Sequence, residues 1–227
     1  MIGIITALNQ ELEAFLNLCE DISLQEIKGI KFYQATLKKQ PVVVVTSGVG
    51  KVYAALVTTA LIENYPIKFL INVGSAGGLK EDLIIGDVII GRQVAEADFD
   101  LTAFGYQRSF QETKITSTVS SLLSLKINQI ITKQERVYFG DIVSSDQFIS
   151  ENTQLDLINK YFPTALCADM EAAAIAKVAN FYHLDWLIIR SISDLVFSSN
   201  NVSAYQANLK KASQRAAQLA LNFINLL

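Results

Sequence analysis

Short apolar runs alternate with longer helix-like stretches along the whole chain, and this alternation restricts the possible folds most. Residues 2–6, 42–45, 69–73 and 186–189 are runs of strand length. The last helix has apolar residues at spacings of three and four: Tyr205, Leu209, Ala212, Ala216, Leu219, Phe223 and Leu226. This pattern is typical of a sheet covered by helices. We therefore expect an α/β fold in which a single domain, residues 1–227, forms a three-layer α/β/α sandwich around a central mixed, largely parallel sheet.

The composition indicates a globular chain that binds small molecules. Of 227 residues, 51% are hydrophobic and 18% are charged, which is enough apolar material for a large core. No uninterrupted apolar stretch reaches the roughly 18 to 20 residues of a spanning helix, and no basic segment precedes an apolar one at the N-terminus, so we expect a cytoplasmic protein without membrane contact. The formal net charge is −3 and basic residues form no cluster, which argues against nucleic acid as a partner.

Cysteine and histidine are too few and too far apart for a metal site. The chain has two cysteines, Cys19 and Cys167, and its one histidine is His183. Their spacing matches no metal or redox motif. We expect two buried thiols in a reducing compartment, and neither a metal nor an organic cofactor.

Two glycine-containing segments follow predicted strands and could bind a ligand through backbone amides. Residues 74–78, Gly-Ser-Ala-Gly-Gly, come at the carboxyl edge where open sheets bind ligands. They match neither the dinucleotide fingerprint nor the phosphate loop, and a plain turn explains them equally well. Residues 47–51 lie between a predicted strand and a helix, where a helix cap and an anion site are equal alternatives.

Three acidic residues are candidates for catalysis or substrate binding. Glu171 opens a helix of small residues, where the ordinary role of a glutamate is to complement the helix dipole. Asp194 ends a polar segment after a buried strand, and an ion pair with Arg190 is the alternative to a functional role. Glu11 lies one turn into the first helix, and periodicity does not decide whether it faces the sheet edge.

Taken in order, these segments resemble those of the 5'-methylthioadenosine/S-adenosylhomocysteine nucleosidases, a branch of the purine nucleoside phosphorylase superfamily. The matching segments cover essentially the whole chain: residues 2–7 with Glu11, 47–51, 72–78, 102–106, 144–149, 170–172 and 190–194. The resemblance implies hydrolysis of the N-glycosidic bond of both nucleosides, which releases adenine and the 5'-thio-substituted ribose. Methionine salvage and removal of S-adenosylhomocysteine would be the metabolic roles.

The resemblance also implies a role for individual residues. Glu11 would accept a proton from the attacking water. Asp194, oriented by Ser193, would protonate the purine N7, and we expect burial to raise its pKa. The other implied substrate contacts are Phe148 and Ile149 at adenine, Met170 and Glu171 at the ribose, and Ser75, Ala76, Gly77 and Arg190 on the sugar and water side.

A homodimer is a further implication of the resemblance. Residues 93–112 are polar and aromatic without periodicity, which predicts a long functional loop. From this loop Leu101, Phe104 and Tyr106 would reach the neighbouring subunit's site and line an apolar slot for the 5'-thio group. The chain departs from the family pattern at four positions: Leu8, Gln147, Ser150 and Asp169. These departures leave open which 5' group is preferred.

Three other functions remain open at the level of sequence. A phosphorylase of the same superfamily would hold phosphate with arginines, among them ones in the N-terminal third, but no arginine precedes Arg92, although Lys51 could still bind an anion. A nucleosidase for a futalosine-type derivative, of menaquinone synthesis, would use the same adenine and ribose contacts. A catalytically silent nucleoside-binding module is the third alternative.

Overall fold

The computed structural model describes residues 1–113, 115–116, 121–133 and 136–226. Its strands, in chain order, are β1 Ile2–Thr6, β2 Glu20–Ile27, β3 Ile30–Leu37, β4 Gln40–Thr46, β5 Phe69–Gly78, β6 Val88–Glu96, β7 Ile115–Thr116, β8 Val137–Ser144, β9 Ala165–Asp169 and β10 Asp185–Leu195. Its helices are α1 Asn9–Leu16, α2 Lys51–Asn64, α3 Phe110–Thr113, α4 Ser121–Lys133, α5 Asn152–Tyr161, α6 Ala172–Phe181 and α7 Asn201–Ile224, with a 3-10 turn at Thr102–Phe104. None of the helices in these ranges is long and apolar enough to cross a membrane.

All the described strands belong to one mixed sheet. A parallel run, β4–β1–β5–β10, forms its centre, and β2 and β3 extend it as antiparallel edge strands. Strand β5 also pairs with β9, and the pairings β10–β6, β6–β8 and β8–β9 complete a closed ring of five strands. The sheet is therefore mixed, as expected, with parallel pairing concentrated at its centre. The carboxyl ends of β1, β4, β5 and β10 meet at one edge.

Helices cover the sheet on both faces, which confirms the α/β fold class. On one face, α2 and α6 pack over a cluster that includes Val43, Leu61, Leu70, Ile175 and Trp186. On the other, α1, α4 and α7 pack over a cluster that includes Phe15, Val44, Ile71, Leu187 and Phe223. Adjacent strand residues alternate between the two clusters because successive side chains of a strand point to opposite faces. Both faces are apolar, which explains the uninterrupted hydrophobic runs.

Three predicted strands, β4, β5 and β10, are longer than their apolar runs indicate. Strand β5 continues to Gly78, so residues 74–78 are strand rather than turn, and β10 continues to Leu195. A Cβ at Gly77 or Gly78 would lie 2.9 Å from a side chain of the neighbouring segment, so glycine allows these backbones to pair closely. The loop prediction for residues 93–112 was wrong at both ends, because β6 runs to Glu96 and α3 begins at Phe110.

Three strands, β2, β7 and β9, were not predicted, and one helix prediction is only partly covered. Strand β7 is only two residues long, too short to give a pattern. Strand β2 is solvent-exposed along almost its whole length, and β9 is five residues of mostly small side chains, so neither gives a hydrophobic run. The helix-like sequence near residues 117–125 predicts a helix there. The observed helix α4 begins at Ser121, and residues 117–120 lie outside the described residues.

Candidate active site

A pocket opens at the edge where the carboxyl ends of the central strands meet. Its volume is about 580 Å³, including the mouth that is open to solvent. The lining residues come from the segments after β1, β4, β8 and β9, from the last residues of β5 and β10, and from α7. Of the predicted site residues, ten line it: Glu11, Ser75, Ala76, Gly77, Phe148, Ile149, Met170, Glu171, Ser193 and Asp194. The fold therefore brings together residues from both halves of the chain.

Glu11 is held at the pocket by four hydrogen bonds. It lies in the first turn of α1 and is 2% exposed. The amides of Ala7 and Leu8 donate to Oε2 at 2.9 and 3.1 Å, and the amide and hydroxyl of Ser75 donate to Oε1 at 3.0 and 3.2 Å. An ionised carboxylate can accept all of these bonds with both oxygens. The surroundings of Glu11 thus suit a fixed, negatively charged group that can accept a proton.

Asp194 differs from Glu11 in that only one hydrogen-bond donor among the described residues contacts its carboxyl. It is 1% exposed on β10, and the hydroxyl of Ser193 donates to its Oδ1 at 2.8 Å. Its Oδ2 is buried without a hydrogen-bond partner among the described residues. Burial raises the pKa of this carboxyl to about 6, against a smaller lowering by the Ser193 hydrogen bond. Below about pH 6 this carboxyl holds a proton, and one of its oxygens is free to direct that proton to a ligand.

Glu171 is a third buried carboxyl, at the N-terminus of α6. It is 6% exposed, and the amide of Gly50 donates to its Oε1 at 2.9 Å. Burial is the main reason that its pKa rises to about 8, and the negative charge of Asp169 adds to this, while Arg190 opposes it. Gly50 has φ +96°, a conformation that favours glycine, so the sequence Gly-Val-Gly before α2 serves to place this amide.

Arg190 does not lie where the sequence placed it, because it is absent from the pocket lining. It is 1% exposed. Its Nε donates to Asp169 Oδ2 at 2.8 Å, and its Nη2 lies 2.5 Å from the same oxygen in an ion pair and donates to Asn72 Oδ1. The expected alternative, an ion pair with Asp194, is not formed either. Arg190 instead lies beneath the pocket, and a Cβ at Gly74 would be 2.9 Å from Glu11 Oε1 and 3.3 Å from Arg190 Nη1. Glycine leaves the room that both side chains occupy.

Three predicted residues lie outside the pocket, in the segment after β6. Phe104 and Tyr106 are 78% and 56% exposed, and Leu101 is partly exposed. Eight lining residues had not been predicted as site residues: Ala7, Leu8, Val49, Gln147, Ala168, Asp169, Val196 and Tyr205. The sequence places Tyr205 in the apolar stripe of the last helix. Its contact with the pocket depends on the path of α7, which the sequence pattern does not give. Within the described residues, no group of three or more metal-ligating side chains is present.

Comparison with known proteins identifies the family of this chain. The family model of the phosphorylase superfamily matches residues 1–225. A curated 5'-methylthioadenosine/S-adenosylhomocysteine nucleosidase of Staphylococcus aureus is 37% identical over 220 residues, which are 96% of either chain. This chain belongs to that nucleosidase family. A solved nucleosidase of the family, from Neisseria meningitidis in complex with methylthio-immucillin-A, superposes with a TM-score of 0.92 at 31% identity, covering 100% of this chain and 99% of that one.

The nucleosidase fold is shared by an enzyme with another name. Futalosine hydrolase of Helicobacter pylori superposes on this nucleosidase family member with a TM-score of 0.91 at 26% identity, covering 100% of this chain and 97% of that one. The overall fold therefore does not separate the two activities. The two activities must therefore be distinguished by the residues that contact the 5' end of the substrate.

We expect the neutral variant Asp194→Asn to be more stable than the wild type at about pH 7.5 and equally stable at about pH 4. Burial raises the pKa of Asp194 in the folded protein to about 6. The wild type therefore has its full stability below the unfolded-state pKa of this carboxyl, and it loses part of that stability as the pH rises through about 6 and the buried group ionises. The expected gain at the higher pH is on the order of 2 kcal/mol, or about 5 °C in Tm. Thermal unfolding at both pH values measures it.

The matched control is Asp156→Asn, which neutralises an exposed carboxylate on α5. It should leave the Tm close to that of the wild type at both pH values. An Asp194→Asn protein that is no more stable than the wild type at the higher pH would show that burial does not strain the ionised carboxyl.

Proposed function

We propose that this protein hydrolyses the N-glycosidic bond of 5'-methylthioadenosine and S-adenosylhomocysteine, releasing adenine and the 5'-thio-substituted ribose. The observation that carries the proposal is the pair of buried carboxyls in one pocket, Glu11 with four hydrogen-bond donors and Asp194 with a free oxygen. Hydrolysis of a glycosidic bond uses such a pair, an acid at the leaving group and a base at the water.

The two carboxyls divide the proton transfers between them. Asp194 gives its proton to N7 of the purine, so that adenine leaves as a neutral base while positive charge develops on the ribose. Glu11 takes a proton from the water that attacks the anomeric carbon, and the new C–O bond completes the hydrolysis. Ser193, which already donates to Asp194 Oδ1, leaves Oδ2 as the oxygen that carries the proton. The net reaction adds H to adenine and OH to the ribose, and proton exchange with solvent then returns Glu11 to its ionised form and Asp194 to its protonated form.

The remaining lining residues suit a nucleoside with adenine at the inner end. Phe148 would offer an aromatic face and Ile149 would offer backbone groups to the purine, and both line the same pocket as Asp194. Met170 and Glu171 face the ribose, where the carboxyl of Glu171 can bond to hydroxyl groups. Ser75 to Gly77 bound the pocket beside Glu11, on the side where the water must lie.

The pocket favours water over phosphate as the nucleophile. No residue that lines it is an arginine or a lysine. Four of the five arginines have acidic partners elsewhere: Arg92 with Asp141, Arg108 with Asp100, Arg136 with Asp87 and Arg190 with Asp169. Lys51, the candidate cation near the N-terminus, contacts Asp98 instead. A phosphate in this pocket would meet the carboxylate of Glu11 without a cation against it.

A futalosine-type adenosine derivative is the second candidate substrate. The likeness to the Helicobacter pylori futalosine hydrolase favours it, since the whole chain superposes on that enzyme. The two substrates share adenine and ribose, so Glu11, Asp194 and Glu171 would act in the same way on both. They differ at the 5' end, where the exposed Phe104 and Tyr106 would meet the substrate from a second subunit.

We expect the protein to release adenine from 5'-methylthioadenosine equally fast with and without phosphate, with free methylthioribose as the sugar product. Chromatography of both products measures this. The variant Asp194→Asn should lower kcat by about 10² to 10⁴, while Asp156→Asn should not change it. Release only with phosphate, as a sugar 1-phosphate, would make the enzyme a phosphorylase. Release from the futalosine derivative but not from 5'-methylthioadenosine would make the second candidate the substrate.

A homodimer is the assembly that the surface supports. Three residues on the outer face of α2 are large, apolar and exposed: Val52 at 77%, Tyr53 at 62% and Leu56 at 53%. Val49, just before this helix, lines the pocket and is itself 48% exposed. The apolar surface thus continues from the pocket mouth onto α2, and contiguous apolar surface of this kind marks an association site. A second copy there would bring its residues 101–106 near the open 5' end of the pocket.

We expect the wild type to sediment as a dimer and Val52→Asp to sediment as a monomer, because a charge in an apolar interface must be desolvated. The monomer should also have a raised KM for 5'-methylthioadenosine, since its pocket would lack the 5' slot. Phe181→Asp, a change at an exposed phenylalanine on α6, is the control and should stay dimeric. A wild-type protein that is monomeric and fully active would contradict the proposal.

A further inference from the structure

The first turn of α7 contacts the segment that we assign to the purine. The side-chain amide of Asn201 donates from Nδ2 to the backbone carbonyl of Ile149 at 2.8 Å. Asn201 is only 3% exposed, although it is the first residue of a helix. Neighbouring Asn200, by contrast, is exposed. A buried side-chain amide at this position is therefore committed to the carbonyl of a pocket-lining residue.

A second contact from the same helix face reaches the adjacent residue of that segment. Tyr205 lies four residues after Asn201, so both side chains project from one face of α7. Its ring packs edge-to-face on Phe148, with centroids 5.5 Å apart and an interplanar angle of 64°. Tyr205 also lines the pocket. One helix turn thus holds both the carbonyl of Ile149 and the ring of Phe148.

The same stretch of chain carries the proton donor. Asp194 lies near the end of β10, and α7 begins at Asn201 after a short connection, whose Val196 also lines the pocket. A purine that stacks on Phe148 must present N7 to Asp194. The distance between the ring of Phe148 and the carboxyl of Asp194 is therefore set by this stretch of chain, together with the contacts that Asn201 and Tyr205 make.

We propose that Asn201 is a positioning residue that makes the site selective for 6-aminopurines; this rests on the proposed function. A carbonyl oxygen has two lone pairs, and Asn201 occupies one of them. This fixes the direction of the other, which accepts a hydrogen bond from the 6-amino group of adenine. A 6-oxopurine such as hypoxanthine presents an oxygen at the same place, and two acceptors repel each other. Without Asn201 the carbonyl can turn away, and the preference for the amino group weakens.

The test compares base affinities by titration calorimetry on the intact protein. Asn201→Ala should weaken adenine binding about tenfold and change hypoxanthine binding much less, so that the ratio of the two dissociation constants falls. The KM for 5'-methylthioadenosine should rise while kcat changes little, since Asp194 is untouched. Asn200→Ala removes the exposed neighbouring amide and should match the wild type in each measurement. Asn201→Leu, which keeps the number and branching of the side-chain heavy atoms but not the donor, should behave like Asn201→Ala and serves if the smaller side chain prevents folding.

Two results would overturn the role of Asn201. One is an unchanged adenine affinity in both Asn201 variants. The other is an equal loss of affinity for adenine and hypoxanthine, which would mean that the variants only loosen the pocket. Failure of the proposed function has a different signature, because the wild type would then bind adenine in the calorimeter but release none from the nucleosides.

Discussion

The arrangement of this site depends on the removal of the Asp194 carboxyl from water. Strand β10 places Asp194 in the pocket wall with a single hydrogen-bond donor, Ser193, and the cost of burying a charge keeps a proton on the carboxyl at a pH where an exposed aspartate has lost it. Glu11, in the same pocket, receives four donors from the backbone and Ser75. Two carboxyls with different surroundings can serve as acid and base at one pH.

The buried charges around this pair are balanced beneath the pocket rather than inside it. Arg190 is bonded to Asp169, and its Nη1 and the Oε1 of Glu11 both lie next to the space that a Cβ of residue 74 would occupy. A buried ion pair of this kind is costly to break, because either partner alone would be an uncompensated charge. Asp169 also accepts from the amide of Ala172 and from Ser144, so it joins β8, β9 and α6 around the base of the site. The apolar core thus positions the carboxyls, and the ion pair between Arg190 and Asp169 fixes the strands and the helix at the base of the pocket.

Much of the fold and most of the site follow from the sequence, and the exceptions have physical causes. The hydrophobic runs locate the central strands because these are buried on both faces, whereas the exposed β2 and the small-residue β9 give no such signal. Family motifs identify Glu11, Asp194 and Glu171. They do not show that Arg190 turns toward Asp169, since strand alternation alone does not fix the direction of a long side chain. Nor do they show the contacts of Asn201 and Tyr205, because these depend on the path of α7 past the pocket.

The pH dependence of kcat/KM for 5'-methylthioadenosine tests the central claim most directly, because it reports the protonation state of the free enzyme's acid. With Asp194 as the acid, kcat/KM should fall as the pH rises above about 6, where this carboxyl ionises. The fall should approach tenfold per pH unit, and it should be absent from the residual activity of Asp194→Asn. A wild-type profile that is flat from about pH 5 to about pH 8 would contradict the account, since the proton donor could not then be a carboxyl with a pKa raised by burial.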